Sequence, residues 1–191
     1  MFFDQFYDYF RKHQLQADMT NTELNENEYH EYFGRYIYTL SEEITLKEGF
    51  QIGEERVLQF FESISEEKMD HAYEEGKWSI KEVLQHIIDV ERMFAYRMFR
   101  LGRLDNTQLA GFDQNEFMET ADVQGKTKAG LLDEYKATRA QSISILKGIS
   151  DNNLAHIGNS SGHNLSARAA GFIILGHEQW HCNLIKEKYL D

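Results

Sequence analysis

Residues 165–190 have the sequence LSARAAGFIILGHEQWHCNLIKEKYL, which predicts one long helix. Within it, the run Gly176-His177-Glu178-Gln179-Trp180-His181 places two histidines four positions apart. On a helix such a pair projects from the same face, one turn above the other. Neutral imidazole is a common ligand of zinc, nickel and iron, so this spacing supplies two corners of a metal site. The pair shares an apolar stripe with Ile173 and Leu184, so we expect it to face the interior.

Around this stretch, the 191 residues contain no proline and show no sustained alternation of apolar and polar residues, which favours helices over strands. We predict an all-α four-helix bundle over residues 31–191, a single domain. Gly49 and Gly53 are possible interruptions of its first helix. The four predicted helices run from about Ser41 to Ile64, Ser79 to Leu101, Thr127 to Leu146, and near Ser166 to Leu190.

Residues 1–30 differ in composition from the rest of the chain. Phe3, Phe6, Tyr7 and Phe10 recur at helical spacing, which predicts an amphipathic aromatic helix over residues 2–16 that packs on the body or on a second subunit. The polar residues 18–28 then indicate a linker. Met19, at its start, is an alternative starting residue.

Composition excludes several classes of function. The net charge of −12 opposes binding to nucleic acid or to anionic membrane surfaces. No apolar run approaches the ~20 residues that a membrane-spanning helix needs. The start of the chain lacks the pattern of a signal peptide, and Cys182 is the single cysteine, so no intrachain disulfide can form. We therefore expect a cytoplasmic protein with no nucleic-acid partner and no membrane partner.

A third histidine lies on another predicted helix. The Ser79-Ile80-Lys81-Glu82 run is a capping box that predicts where this helix begins, and Gly102 marks its end. His86 falls at the edge of the apolar stripe, so it points toward the seam of the bundle. His86, His177 and His181 could then converge, and three protein ligands with one open position are typical of a catalytic metal site. The alternative is that the histidines are hydrogen-bonded locally on a partly buried face.

The sequence of residues 177–181 also matches H-E-x-x-H, the pattern of the zincin proteases. In that class a third ligand follows the helix. Only ten residues follow His181, none of them histidine, and the single glutamate among them, Glu187, belongs to the same helix. A third ligand must therefore come from upstream. Glu178 is a candidate catalytic base, and the alternative is a carboxylate exposed on the surface.

The run from Lys77 to Arg92, KWSIKEVLQHIIDVER, resembles the signature of the DinB-like superfamily, W-S-x-x-E-V-L-x-H followed by an aromatic and arginine stretch. That stretch is Phe94-Ala95-Tyr96-Arg97 here. The run from Gly176 to His181 is similar to the second metal-binding segment of the family, and Gly111-Phe112-Asp113-Gln114 is similar to a common mid-chain loop. The resemblance covers residues 32–189.

The resemblance implies a four-helix bundle in which His86, His177 and His181 hold a divalent ion: zinc, nickel, manganese or iron. Relatives include thiol-dependent transferases that use bacillithiol or mycothiol, and a mycothiol-dependent isomerase. It therefore implies a metal-dependent thiol S-transferase, in which a metal-activated thiolate attacks an electrophilic small molecule, in a protein that forms homodimers. The alternatives are a metal-dependent hydrolase and a non-catalytic, metal-binding or stress-related dimeric bundle.

Other residues have two interpretations each. Arg97 could bind an anionic substrate or form a salt bridge to a neighbouring helix, and Tyr96 and Trp180 could line a pocket or belong to the core. The candidate acceptors that would fix the imidazole tautomers are Asp89, Asp113 and Glu178. We expect Trp78 and Cys182 to be structural, and His156 and His163 to lie on the surface or overhang the site.

Overall fold

Four long helices carry the architecture of the computed structural model, which describes residues 18–190. The predicted aromatic helix of residues 2–16 lies outside the described residues. In chain order the elements are α1 (Gly34–Ile37), α2 (Leu46–Ser63), α3 (Ile80–Gly102), α4 (Gln114–Thr120), α5 (Lys128–Lys147), α6 (Asp151–Leu154), β1 (Ile157–Ser160), β2 (His163–Ser166) and α7 (Ala167–Lys188). The described chain also has 3-10 turns at Asn21–Glu23, Glu26–Glu28, Glu31–Phe33, Glu66–Asp70 and Val123–Gly125.

The four predicted helices correspond to α2, α3, α5 and α7, so the all-α class is confirmed. Side-chain caps set where they begin. The Ser79 hydroxyl accepts a bond from the backbone N–H of Glu82, whose carboxylate accepts one from the Ser79 N–H at 2.7 Å. An equivalent box formed by Thr45 and Glu48 starts α2. The expected beginning near Ser41 was therefore wrong by five residues.

The glycines expected to interrupt the first bundle helix do not do so. Gly49 and Gly53 are both buried within α2. A Cβ atom at Gly49 would lie 2.5 Å from a methyl group of Leu175, and one at Gly53 would lie 2.4 Å from the carboxylate of Glu178. These glycines therefore allow α2 to approach α7 closely.

The sequence pattern did not predict a small β-hairpin before α7. β1 and β2 pair antiparallel, with Ser160 opposite His163. Ser161 and Gly162 connect them with φ angles of 55° and 83°, the left-handed conformation that a two-residue hairpin turn requires. Strands of four residues are too short to show a clear alternation, which is why the sequence pattern did not predict them.

The core lies where α3 and α7 pack against each other, with α5 and α2 completing the bundle. One apolar cluster extends towards the hairpin and the other towards the C-terminal end of α7. The largest fully buried apolar side chains are Tyr135, Phe50, Phe61, Phe172, Ile37, Leu46, Met69, Ile80, Leu84, Ile87 and Ile88. Among residues 18–190, no helix combines the length and the apolar character needed to cross a membrane.

Polar contacts pin residues 18–30 to the bundle. Glu28 is buried and accepts hydrogen bonds from Arg168, at 2.8 Å, and from Ser166, at 2.7 Å, both at the start of α7. Asn21 is also buried, and its side-chain amide donates to the carbonyl of Ile37. Buried hydrogen bonds therefore attach residues 18–30 to the bundle, which the interpretation of residues 18–28 as a polar linker did not predict. The boundary between residues 30 and 31 stays a prediction.

Candidate metal centre

Three imidazole rings from two helices meet between α3 and α7. The Nε2 atoms of His86 and His177 lie 3.0 Å apart, and those of His177 and His181 lie 3.1 Å apart. One ligand atom from each ring lies within 4.8 Å of the others. The predicted convergence of α3 with the C-terminal pair is therefore present in the structure.

Burial keeps the three rings neutral. His86, His177 and His181 are 4%, 4% and 7% exposed. Loss of hydration lowers the pKa of His86 to about 4. Burial and then the neighbouring His86 lower the pKa of His181 to about 3, and burial and the two neighbouring rings hold the pKa of His177 well below its usual value. A neutral imidazole has a lone pair on one ring nitrogen, which is the form that ligates metals.

The donor set and its spacing fit a small divalent ion. Metal–nitrogen bonds of ~2.05 Å in tetrahedral geometry separate two ligand nitrogens by about 3.3 Å, close to the Nε2–Nε2 distances of 3.0 and 3.1 Å. Without a cation, each close pair needs a proton on one of its Nε2 atoms to form a hydrogen bond. A shared cation would instead accept a lone pair from every ring. The cluster could therefore hold a metal ion.

Aromatic rings surround the three imidazoles. Trp78 packs on His86, Tyr36 on His177 and Trp180 on His181, with ring centroids 4.8, 5.0 and 4.8 Å apart. Trp180 is partly buried beside this cluster. The Trp78 carbonyl also accepts a hydrogen bond from Tyr189. The aromatic rings thus fix the orientation of the imidazoles by packing.

The acidic partners proposed for the imidazoles do not reach them. Asp89 accepts hydrogen bonds from Gln85 and Arg92, and Asp113 caps α4 through the backbone N–H groups of Asn115 and Glu116. Among residues 18–190, no carboxylate is hydrogen-bonded to the three rings, and the buried Nδ1 of His181 has no protein partner. The expectation that these acids fix the tautomers was wrong.

Glu178 lies in a buried ionic cluster. It is 1% exposed, so the interpretation as a surface carboxylate was wrong. Its Oε2 atom accepts hydrogen bonds from Tyr135, at 2.9 Å, and from Arg139, at 2.5 Å. Arg139 also donates two 2.9 Å bonds to Glu91, which is equally buried. These partners occupy the Oε2 atom of the candidate base, and its buried Oε1 atom has no hydrogen bond but lies 3.6 Å from Arg56. The carboxylate thus belongs to the ionic cluster, and the catalytic role of Glu178 gains no geometric support.

The structure also places the remaining candidate residues of the sequence analysis. Tyr96 is 46% exposed and is hydrogen-bonded to Arg100, away from the imidazoles. Cys182 is buried, as expected of a structural residue, and lies outside the histidine cluster. His163 packs against His30 with ring centroids 4.1 Å apart. Arg97 forms no ion pair with any carboxylate of residues 18–190, so the salt-bridge interpretation was wrong.

Two adjoining cavities are lined by the imidazoles. The first, of about 330 Å³, reaches His177, and we call it the Arg97 cavity because Arg97 lines it. The second, of about 360 Å³, reaches His86 and His181, and we call it the Trp78 cavity. The residues that line both are Tyr32, Tyr36, Gln114 and Asn115.

These four residues were missed by sequence reasoning. The Asp113-to-Glu116 spacing, which is typical of a helix start, could have placed Gln114 and Asn115 on a structured turn. Nothing local in the sequence predicts that Tyr32 and Tyr36 approach the histidines. Tyr36 contacts His177 because α1 packs against α7.

Comparison with known proteins agrees with this geometry. The family model of the DinB superfamily matches residues 50–185, a segment that contains all three histidines. A solved structure of YfiT from Bacillus subtilis is similar, with a TM-score of 0.63 and 18% sequence identity, covering 86% of this chain and 90% of that one. YfiT is described as a probable metal-dependent hydrolase with an unusual four-helix bundle topology. A search of curated proteins found no match.

Proposed function

The chain belongs to the DinB superfamily, and on that premise we propose that it is a divalent-metal-dependent enzyme that acts on small molecules. His86, His177 and His181 are the proposed metal ligands. The observation that carries the proposal is the meeting of three buried, neutral imidazoles at one point, where they line two adjoining cavities. Three protein ligands leave a position for a substrate or water, the arrangement typical of catalytic sites.

A bound divalent ion would supply positive charge that lowers the pKa of a thiol or water at the open position. The chain supplies the environment for that chemistry. Trp78, Tyr36 and Trp180 pack on the imidazoles and limit the access of water to the faces of the rings. Because burial lowers the pKa of each histidine, protons do not compete for the lone pairs near neutral pH.

Thiol S-transfer is the reaction that we propose first. A transferase must bring two molecules together, a thiol and an electrophile, at one centre. The Arg97 cavity and the Trp78 cavity reach different members of the same histidine trio, so each could hold one reactant. Volumes of about 330 and 360 Å³ fall in the range of small-molecule sites. A low-molecular-weight thiol and a small electrophile are the proposed substrates.

Metal-dependent hydrolysis is the second candidate, favoured by the description of YfiT. Hydrolysis needs one organic substrate and water, so only one cavity would have to be filled. The shared fold does not carry the activity over, because one bundle serves many reactions. The two candidates therefore differ in whether turnover depends on an added thiol.

Metal uptake tests the requirement common to both reactions. The protein is purified under metal-sparing conditions, offered zinc, nickel, manganese or iron, and analysed by elemental analysis. We expect about one ion per chain, and a loss of at least tenfold in affinity for His86→Ala, since one of three ligands is gone. His163→Ala, which removes an exposed histidine at the start of β2 and outside the histidine cluster, is the matched control. A wild-type protein that takes up no metal would rule out the enzyme.

Turnover then separates the reactions. The loaded protein is incubated with monobromobimane or chlorodinitrobenzene and a panel of low-molecular-weight thiols, and separately with nitrophenyl esters. Thiol-dependent consumption of the electrophile that disappears in His86→Ala supports S-transfer. Ester cleavage without thiol supports hydrolysis. Metal binding with neither activity would favour the non-catalytic bundle.

The proposed assembly is a homodimer in the cytoplasm. Light scattering coupled to size-exclusion chromatography would measure the mass against the 22.4 kDa of one chain. A single species at twice that mass supports the dimer, and a species at the monomer mass contradicts it.

A further inference from the structure

Arg97 is a buried cation without a buried counter-charge. It is 4% exposed, and no carboxylate of residues 18–190 lies within ion-pair distance of it. One terminal nitrogen, Nη2, donates to the carbonyl of Ala110 at 3.1 Å and to the hydroxyl of Ser161 at 3.2 Å. The Nε–H is buried and has no hydrogen-bond acceptor. An isolated buried charge is costly, so an arginine held in this way needs an explanation.

The guanidinium borders the same cavity as His177. The Arg97 cavity has a volume of about 330 Å³, and its lining includes Arg97 of α3 and His177 of α7. Five of its thirteen lining residues are phenylalanine or tyrosine, and the guanidinium lies 4.7 Å from the ring centre of Phe94 and 5.6 Å from that of Phe112. A molecule in this space would meet a cation, an imidazole and aromatic faces.

The other charges that line the Arg97 cavity leave the cation unopposed. Asp113 is the one acidic residue of the lining, and its Oδ1 atom accepts the N–H of Asn115 at 2.7 Å as the cap of α4. Asp113 forms no ion pair with Arg97 among the described contacts. Burial also lowers the pKa of Arg97, the direction expected of a cation that lacks a partner. Because arginine stays protonated near neutral pH, the cavity carries a fixed positive charge.

We propose that the Arg97 cavity binds substrates that carry a carboxylate, with Arg97 as the anion-binding residue. The inference rests on the proposed function, since it names the class of small molecule that would reach the metal centre. A planar guanidinium matches a carboxylate better than a point charge does, and its free donors would form charge-assisted hydrogen bonds. The aromatic walls favour an aryl or alkyl group between the carboxylate and the reacting end.

The test uses benzoate and its uncharged analogue benzamide as probes. Binding is measured by isothermal titration calorimetry on the full-length protein freed of metal with a chelator, at constant ionic strength. Without metal, a carboxylate cannot be captured by an ion on the histidines. We expect benzoate to bind at least tenfold more tightly than benzamide, because one hydrogen-bonded charge pair contributes about a factor of ten or more.

Two variants assign the effect to Arg97. Arg97→Gln should bind benzoate at least tenfold more weakly than the wild-type protein does and bind benzamide with unchanged affinity. The benzoate affinity of Arg97→Lys should lie between those of the wild type and Arg97→Gln. Arg103→Gln is the matched control. Arg103 also donates to a backbone carbonyl, that of Gly148, and lies 5.3 Å from the ring of Phe99, but it borders neither cavity. Circular dichroism melts establish which variants are folded.

The proposal is overturned if the wild-type protein binds benzoate and benzamide alike, or does not bind benzoate at all. Folded Arg97→Gln that keeps benzoate affinity within twofold would overturn it too. Should that variant fail to fold, the difference in affinity between benzoate and benzamide on the wild-type protein still tests whether the cavity binds a carboxylate. Because these titrations need no metal, a failure of metal uptake is recorded separately, and the two proposals can fail independently.

Discussion

The carbonyl oxygen of Tyr36 lies against the α-carbon of Gly176. A Cβ atom at position 176 would be 2.2 Å from that oxygen and 2.5 Å from its carbon, both rigid backbone atoms. Glycine therefore lets α1 lie against α7 immediately before the first histidine of the C-terminal pair. The same contact holds the Tyr36 ring 5.0 Å from the His177 ring.

We expect Gly176→Ala to destabilise the protein by about 1–3 kcal/mol, because backbone must move to make room. The gain of up to about 1 kcal/mol in helix propensity does not offset this. Urea denaturation measures the loss. Gly130→Ala in α5 is the control, since its Cβ would meet a side-chain oxygen at 3.3 Å. Equal stability of the two variants would contradict the role assigned to Gly176.

Arg139 is the buried centre of an ionic cluster that joins three helices. Arg139 lies on α5, and its guanidinium forms ion pairs with Glu91 of α3 and Glu178 of α7. Arg139→Met would leave two carboxylates buried without this partner, and we expect a loss of about 3–5 kcal/mol in the free energy of unfolding. Lys136→Met, an exposed lysine of the same helix, should change stability by less than about 0.5 kcal/mol. A small effect for Arg139→Met would show that the cluster is not needed for stability.

The Glu28–Arg168 pair makes stability depend on pH. Burial alone would raise the pKa of Glu28, but hydrogen bonds from Arg168 and then from Asn25 and Ser166 lower it to about 2. A folded-state pKa below the unfolded value of ~4.3 gives stability that is complete above the unfolded value and is lost as the pH falls toward about 2. Glu28→Gln should therefore cost roughly 2 kcal/mol at pH 7 and progressively less below pH ~4.

Urea midpoints at several pH values between 7 and 3 measure this difference. Glu26→Gln, a substitution at an exposed residue of the same turn, is the control, and its urea midpoint should change with pH as that of the wild type does. If the difference in urea midpoint between Glu28→Gln and the wild type stayed constant down to pH 3, the pH dependence of stability could not be assigned to the Glu28 carboxylate.

Cys182 should be chemically inert in the folded protein. Burial and then the negative charge of Glu178 raise the pKa of its thiol to about 12, so little thiolate exists near neutral pH. We expect Ellman's reagent to react at least 100-fold more slowly with the native chain than with the chain in guanidinium chloride. Cys182→Ala gives the background rate. Rapid labelling of the native protein would contradict this burial and would complicate electrophile assays.

The helices and the paired histidines of α7 follow from the sequence because their signals are local. The 3.6-residue period, the Ser79–Glu82 capping box and the four-residue spacing of His177 and His181 act within one or two turns. The position of His86 at the edge of an apolar stripe also indicated its direction. These signals predicted the all-α fold and the three residues that the structure brings together.

Tertiary structure alone decided what surrounds them. The Tyr36 ring contacts His177 where two helices pack closely. Arg139 is hydrogen-bonded to Glu178, 39 positions away in the sequence, and Arg168 is hydrogen-bonded to Glu28, 140 positions away. The sequence left Arg97 with two interpretations, an anion site and a salt bridge, and only the absence of a carboxylate partner among residues 18–190 favoured the first. Such contacts depend on how distant segments pack, and no periodicity or spacing along the chain encodes the distance between two side chains in space.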